Sequence, residues 1–158
     1  MHIFGIGVKA ITGVMLIIIC AMIPSSIILP QKDLSFSIIQ LYSNWQIHGV
    51  LLTSLICGPY IGTISALTYL IIGLFYLPVF HGGGSVGYIL THEFGYLLGF
   101  IPASWTCGFL AKRATKSTLI NHSFYAVVSL FILHLIGISY LILGRSIGIW
   151  IDNLSDMI

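Results

Sequence analysis

Glu93 stands out among the side chains of this sequence that could do chemistry. It is the only acidic residue between Asp33 and Asp152, and it follows a glycine-rich stretch at positions 82–84. Within an apolar chain, an ionisable side chain is costly and by default suggests function. The alternative is that Glu93 lies at an interface with water and caps the first turn of a helix, near its positive end. The residues alone leave both interpretations open.

The glycine-rich stretch interrupts otherwise helical sequence. Pro78 ends one helical run, the glycines at 82–84 leave the backbone bare, and a new run opens near Glu93 and Gly95. In a bilayer, irregular backbone is tolerated only where protein buries it or where it lines a water-filled cavity. The break is therefore a candidate binding site.

Composition determines the class of protein. The 158 residues are 58% hydrophobic and 6% charged, and their mean hydropathy is +1.06. The predicted fold class is an all-α, polytopic integral membrane bundle of about five spanning helices of roughly 20 residues each. The lipid bilayer is its surroundings, and residues 1–158 form one membrane-embedded domain. The net charge of +2 is small and has no charged tail, which gives no surface for nucleic acid.

Five apolar runs give the predicted helices. The first follows Lys9 and closes at Pro24 and Pro30, and we interpret it as a retained helix because no small-residue cleavage site of a signal peptide follows. The others are a second helix at 47–57 extended back through 42–46, a third at 59–76, a fourth opening near 93–95, and a fifth at 124–143.

Charge predicts the orientation. The loop Lys112–Lys116 holds three of the six basic residues, and loops rich in Lys and Arg face the cytoplasm. Counting spans from that loop puts the N-terminus in the cytoplasm of a multi-pass cell-membrane protein and the glycine-rich loop outside.

Two stripes of small residues at four-residue spacing favour close helix approach in lipid, either for internal packing or for docking a partner. They are Gly58, Gly62 and Ala66, and Gly95, Gly99, Ala103 and Cys107.

Several partial enzyme and cofactor motifs occur in the sequence, but each lacks a residue or element that its function requires. His92-Glu93 opens a zinc-protease pattern, but Tyr96 occupies the place of the second histidine. The glycines in the segment 82–87 match the spacing of a dinucleotide-binding fingerprint. That fingerprint requires a preceding strand and a following helix, which this apolar sequence does not offer. No phosphate loop with its lysine is present, so the chain itself cannot hydrolyse ATP. We expect no catalytic residue, no metal and no cofactor.

Several segments between about Gln46 and Ala111 form a recognisable set: 69–73, 77–80, 82–83 and 95–100, with Gln46 and Gly58-Pro59. Together they resemble the BioY family, the biotin-binding S components of energy-coupling factor (ECF) transporters. It implies a protein that captures biotin from outside and docks onto a transmembrane T component with two cytoplasmic ATPase subunits, which supply the energy.

Two departures from the family keep alternatives open. Thr91–Tyr96 stands where the family usually has Gly-Pro-Thr-Gly-Gly-Tyr, and the family usually has a sixth helix opened by Pro-Phe and Gly-Asp with a following lysine, whereas this sequence stops at Ile158. The alternatives are an S component for another vitamin, or a truncated, non-transporting membrane assembly subunit.

A biotin site needs aromatic walls, bare backbone polar groups and an amide or cationic partner. Lys32 or Arg145 is expected to take the carboxylate in place of the family's lysine. The predicted binding residues are Trp45, Gln46, Phe80, Gly82, Gly83, Gly84, Glu93 and Tyr96.

Overall fold

A computed structural model describes residues 2–30, 36–80, 83–114 and 118–148. Within these ranges the chain forms five α-helices, one antiparallel pair of strands and one short 3-10 helix. In chain order they are α1 His2–Ala21, β1 Pro24–Pro30, β2 Phe36–Asn44, α2 Gln46–Cys57, α3 Pro59–Phe75, the 3-10 helix Val86–Leu90, α4 Phe94–Arg113 and α5 Leu119–Ser146.

The predicted membrane helical bundle is confirmed. Helices α1, α4 and α5 are long and apolar enough to cross a membrane, whereas α2 and α3 are apolar but shorter, with 12 and 17 residues. At 1.5 Å per residue, α2 is only about 18 Å long, less than the roughly 30 Å hydrocarbon core. Helix α2 alone is therefore too short to cross that core.

The predicted extension of the second helix back through 42–46 is wrong. Residues 36–44 form β2, which pairs antiparallel with β1, and α2 begins only at Gln46. Pro24 and Pro30 bound β1 and disfavour continuing α1 through that segment, while the isoleucines and aromatic residues of β2 favour extended backbone. The Asn44 side-chain amide donates to the carbonyl of Ala21 at 3.0 Å, which ties the strand pair to the end of α1.

The small-residue stripes pack inside the bundle, as the first of the two interpretations predicted. Ala66, Ala103 and Cys107 are fully buried. A Cβ added at Gly99 would lie 3.0 Å from the carbonyl oxygen of Leu133 on α5, and one added at Gly62 would overlap Ser54 on α2. Helix α4 thus occupies the centre of the bundle, against α2, α3 and α5.

Three segments lie together at one end of the bundle: the start of α1, the α2–α3 turn and the end of α4. Ile6, Gly58, Gly108 and Lys112 all line one cavity of about 470 Å³ there. The glycine-rich segment lies at the other end, where the Tyr140 hydroxyl donates to the carbonyl of Ile89.

Candidate functional site

The glycine-rich segment folds back onto the end of α3. Phe80 and Gly83 exchange two backbone hydrogen bonds, at 2.9 and 3.1 Å, and Gly83 has a φ of +132°, which side chains other than glycine rarely adopt. A Cβ added at Gly84 would lie 2.6 Å from the carbonyl oxygen of Gly73 and 2.8 Å from the Cα of Pro78. The described glycines therefore serve a turn and a close backbone approach.

An aromatic cluster anchors this segment to α3. The Phe80 ring is buried, packs against Tyr69 with ring centroids 5.5 Å apart, and contacts Tyr88 at 4.8 Å. It occupies the space that the missing side chain of Gly73 leaves. The Tyr69 hydroxyl donates to the carbonyl of Val79 at 2.9 Å. Tyr88 is consequently held in place by α3.

Tyr88 in turn engages Glu93. Its hydroxyl donates to a Glu93 carboxylate oxygen. Glu93 is the residue before α4, as the capping interpretation placed it, but its side chain makes no capping hydrogen bond. Burial raises the pKa of Tyr88 above its usual range, and the hydrogen bond and charge of Glu93 raise it further. The phenol therefore remains a protonated donor at neutral pH.

A cavity of about 480 Å³ opens beside this pair, between α2, α4 and α5. Small-molecule sites commonly measure about 300–1,000 Å³ and combine apolar walls with a few polar groups. The lining residues are Asn44, Gln46, Ile47, Tyr88, Glu93, Tyr96, Leu97, Phe100, Leu130, Leu133 and His134.

Gln46 carries the clearest sign of a ligand. It is the first residue of α2 and only 6% exposed, yet its buried Nε2 has no hydrogen-bond partner among the described residues. A buried polar group left without a partner costs about 1–3 kcal/mol. A ligand acceptor in the cavity would remove that cost.

His134 supplies a second polar edge, from α5. Its Nδ1 lies 2.8 Å from the carbonyl oxygen of Leu130, and its ring meets Tyr96 edge-on at 5.8 Å between centroids. The carbonyl can only accept, so Nδ1 carries the proton and Nε2 remains on the other edge of the ring. No group of three His, Cys, Asp or Glu side chains in the described ranges could hold a metal ion.

Three of the predicted site residues, Gln46, Glu93 and Tyr96, come together in this cavity. Phe80, Gly83 and Gly84 shape the segment that carries Tyr88. Trp45 is 48% exposed and packs on His48 at 4.8 Å between ring centroids. Gly82 and Lys32 lie outside the described residues, and Arg145 is exposed in the last turn of α5 and is not among the cavity's lining residues.

Sequence reasoning missed Tyr88 and His134 as site residues. Tyr88 directly follows the glycine-rich stretch, and an aromatic residue between Gly87 and Glu93 could have been paired with that acid. His134 resembles the other scattered histidines in sequence, and only the packing of α5 on α4 brings it to Tyr96.

Comparison with known proteins gives a consistent result. A sequence model of the BioY family matches residues 5–154. The chain is 33% identical over 111 residues to the probable biotin transporter BioY of Lysinibacillus sphaericus, covering 70% of this chain and 56% of that protein. It is 31% identical over 104 residues to the probable biotin transporter BioY of Pyrococcus horikoshii, covering 65% and 59%. The matches span little more than half the length of these relatives.

A solved structure shares the fold. The crystal structure of the S-component for biotin from an ECF-type ABC transporter superimposes with a TM-score of 0.72 at 20% sequence identity. The superposition covers 94% of this chain and 77% of that one.

Proposed function

Because the chain belongs to the BioY family, we propose that it is a multi-pass membrane protein that captures biotin as the S component of an ECF-type transporter. The observation that carries the proposal is the Gln46 amide, which is buried at the cavity without a partner among the described residues. The ureido group of biotin contains a carbonyl that would accept this donor.

Two side chains bind the ureido group by hydrogen bonds of opposite direction. Gln46 Nε2 donates to the ureido oxygen, and the Glu93 carboxylate accepts from a ureido N–H. Tyr88 fixes the carboxylate through its hydroxyl. Because hydrogen bonds to a charged acceptor are stronger than neutral ones, Glu93 would favour a ligand with N–H donors.

The remaining lining side chains accommodate the apolar part of biotin. Tyr96, Leu97 and Phe100 of α4 and Leu133 of α5 line the cavity. Burying the sulfur-containing ring and the aliphatic chain against them contributes about 25 cal/mol per Å² of apolar surface removed from water. Phe80, Gly83 and Gly84 act indirectly, by holding the segment that carries Tyr88.

Gln46→Leu tests this assignment. The substitution keeps the volume roughly and removes the donor, so the buried ureido oxygen loses its partner at a cost of about 1–3 kcal/mol. We expect the biotin dissociation constant of the purified protein to rise about 5- to 150-fold in an equilibrium titration.

Thr12→Val is the matched control, because Thr12 is exposed on α1, its hydroxyl donates to the carbonyl of Val8, and it is not among the cavity-lining residues. It should bind biotin like the wild type. Parallel titrations with thiamine and riboflavin check the ligand class. Binding of either vitamin in place of biotin would refute the assignment.

We also propose an orientation and partners. The N-terminus and the loop after α4 face the cytoplasm, the glycine-rich segment faces outward, and a T component with two cytoplasmic ATPase subunits docks on the chain. The position of Ile6 and Lys112 at the same end of the bundle supports this orientation, since the N-terminal segment and the loop after α4 are both assigned to the cytoplasmic side.

Cysteine labelling tests the orientation. On a background with Cys20, Cys57 and Cys107 replaced by alanine, Ser85→Cys should react with an impermeant maleimide in intact cells. Ala114→Cys should react only after permeabilisation. Labelling of position 114 but not of position 85 in intact cells would reverse the proposed orientation.

A further inference from the structure

Biotin carries an ionised carboxylate at neutral pH, and a charged donor makes a stronger hydrogen bond to it than a neutral donor does. The polar side chains among the described residues that line the cavity are Asn44, Gln46, Tyr88, Glu93, Tyr96 and His134. Of these, only His134 can carry a positive charge.

The His134 ring is held in a defined position. Nδ1 is bound to the carbonyl of Leu130 one turn earlier on α5, and the ring edge rests on Tyr96 of α4. These two contacts fix both the tautomer and the plane of the ring. Nε2 is then the atom that can meet an anionic group, and it carries a proton when the ring is charged.

The other polar groups of the cavity point to the same arrangement. Glu93, at the start of α4, repels a carboxylate and attracts a ureido N–H, whereas Gln46 on α2 is neutral. Tyr88 is a donor to Glu93, and Tyr96 is the titratable group in ring contact with His134. A ligand with its ureido group at Gln46 and Glu93 would therefore have its carboxylate end directed away from Glu93.

We propose that His134, in its imidazolium form, binds the carboxylate of the ligand and makes capture pH-dependent. The inference rests on the proposed function, since it assigns a binding residue to the carboxylate end of the same ligand. Histidine ordinarily changes charge between about pH 5 and 8, while an aliphatic carboxylate stays ionised above about pH 5. We expect affinity for biotin to rise as the pH is lowered within that range, because only a charged imidazole pairs with the ligand carboxylate.

The test compares biotin with biotinamide, which keeps the ureido group and lacks the negative charge. Purified wild-type protein should bind biotin at least about tenfold more tightly near pH 5.5 than near pH 8, because a charge-assisted bond is gained. Biotinamide affinity should change little over the same range.

Three variants isolate the residue. His134→Gln should remove the pH dependence and bring biotin close to biotinamide, whereas His134→Lys should prefer biotin at both pH values. His48→Gln, a histidine that is exposed beside Trp45 and is not among the cavity-lining residues, should behave like the wild type.

Two results would overturn the inference. One is a wild type that binds biotin and biotinamide alike at both pH values, which decides the matter even if His134→Gln does not fold. The other is a pH dependence that survives in His134→Gln, which would place its origin outside His134. A folded wild type that binds neither ligand would refute the proposed function itself, and the inference with it.

Discussion

Gly84→Ala is expected to destabilise the protein and weaken biotin binding, and to do both far more than Gly87→Ala. The new Cβ would lie 2.6 Å from the carbonyl oxygen of Gly73, 2.8 Å from the Cα of Pro78 and 2.9 Å from the carbonyl oxygen of Leu77. All three are backbone atoms, which cannot rotate away as a side chain can. Overpacking of this kind costs about 1–3 kcal/mol, and occasionally more.

The Gly84→Ala substitution should also change the binding cavity, because the same segment carries Tyr88. If the segment lifts away from α3, the Phe80 ring leaves the gap at Gly73, and the contact that places Tyr88 against Glu93 is lost. We therefore expect thermal unfolding in detergent at a lower temperature and a biotin dissociation constant raised more than about tenfold, as for a loss above about 1.4 kcal/mol.

Two neighbouring glycines provide graded controls. A Cβ at Gly87 would meet only the Ser85 hydroxyl at 3.4 Å, so Gly87→Ala should be close to neutral. Gly83 has open space around it but a φ of +132°, so Gly83→Ala adds backbone strain of about 1–3 kcal/mol without a clash. A Gly84→Ala variant that unfolds at the wild-type temperature and binds biotin normally would refute the close packing described above.

Local sequence predicts most of the helices because each is a long apolar run bounded by proline, glycine or charge. It predicts the start of α2 wrongly because residues 36–44 are as apolar as a helix. What makes that segment a strand is its pairing with β1 and the bond from Asn44 to Ala21, which joins positions 23 apart in the chain. Such a pairing is not visible in the periodicity of either segment.

The candidate site also combines residues that local sequence indicates with residues that only tertiary packing brings together. The sequence indicates Glu93 as the lone acid beside the backbone break, Gln46 as an amide partner and Tyr96 as an aromatic wall, and the structure places all three at one cavity. Phe80 was expected as an aromatic wall of the binding site, but in the structure it fills the gap at Gly73. Tyr88 and His134 depend on how the 3-10 helix and α5 pack on their neighbours, which no local pattern encodes.

Transport is expected to depend wholly on the partner subunits. The 158 residues contain no glycine-rich phosphate loop with its lysine and hydroxyl residue, so we expect the energy to come from the proposed ATPase subunits. Reconstituted alone into proteoliposomes with ATP at the cytoplasmic face, it should bind labelled biotin up to one equivalent and accumulate none. Accumulation should appear only when a T component and the two ATPases are added.

The control separates energy coupling from assembly. The same complex, with the phosphate-loop lysine of each ATPase replaced by alanine, should still form and bind biotin but should accumulate none, because phosphate binding and hydrolysis are impaired. Within this series, Gln46→Leu should lower uptake at limiting biotin and leave the rate at saturating biotin nearly unchanged. The substitution weakens biotin binding and does not affect the ATP-driven transport step. Robust ATP-driven accumulation by the pure chain would contradict the assignment as a capture subunit.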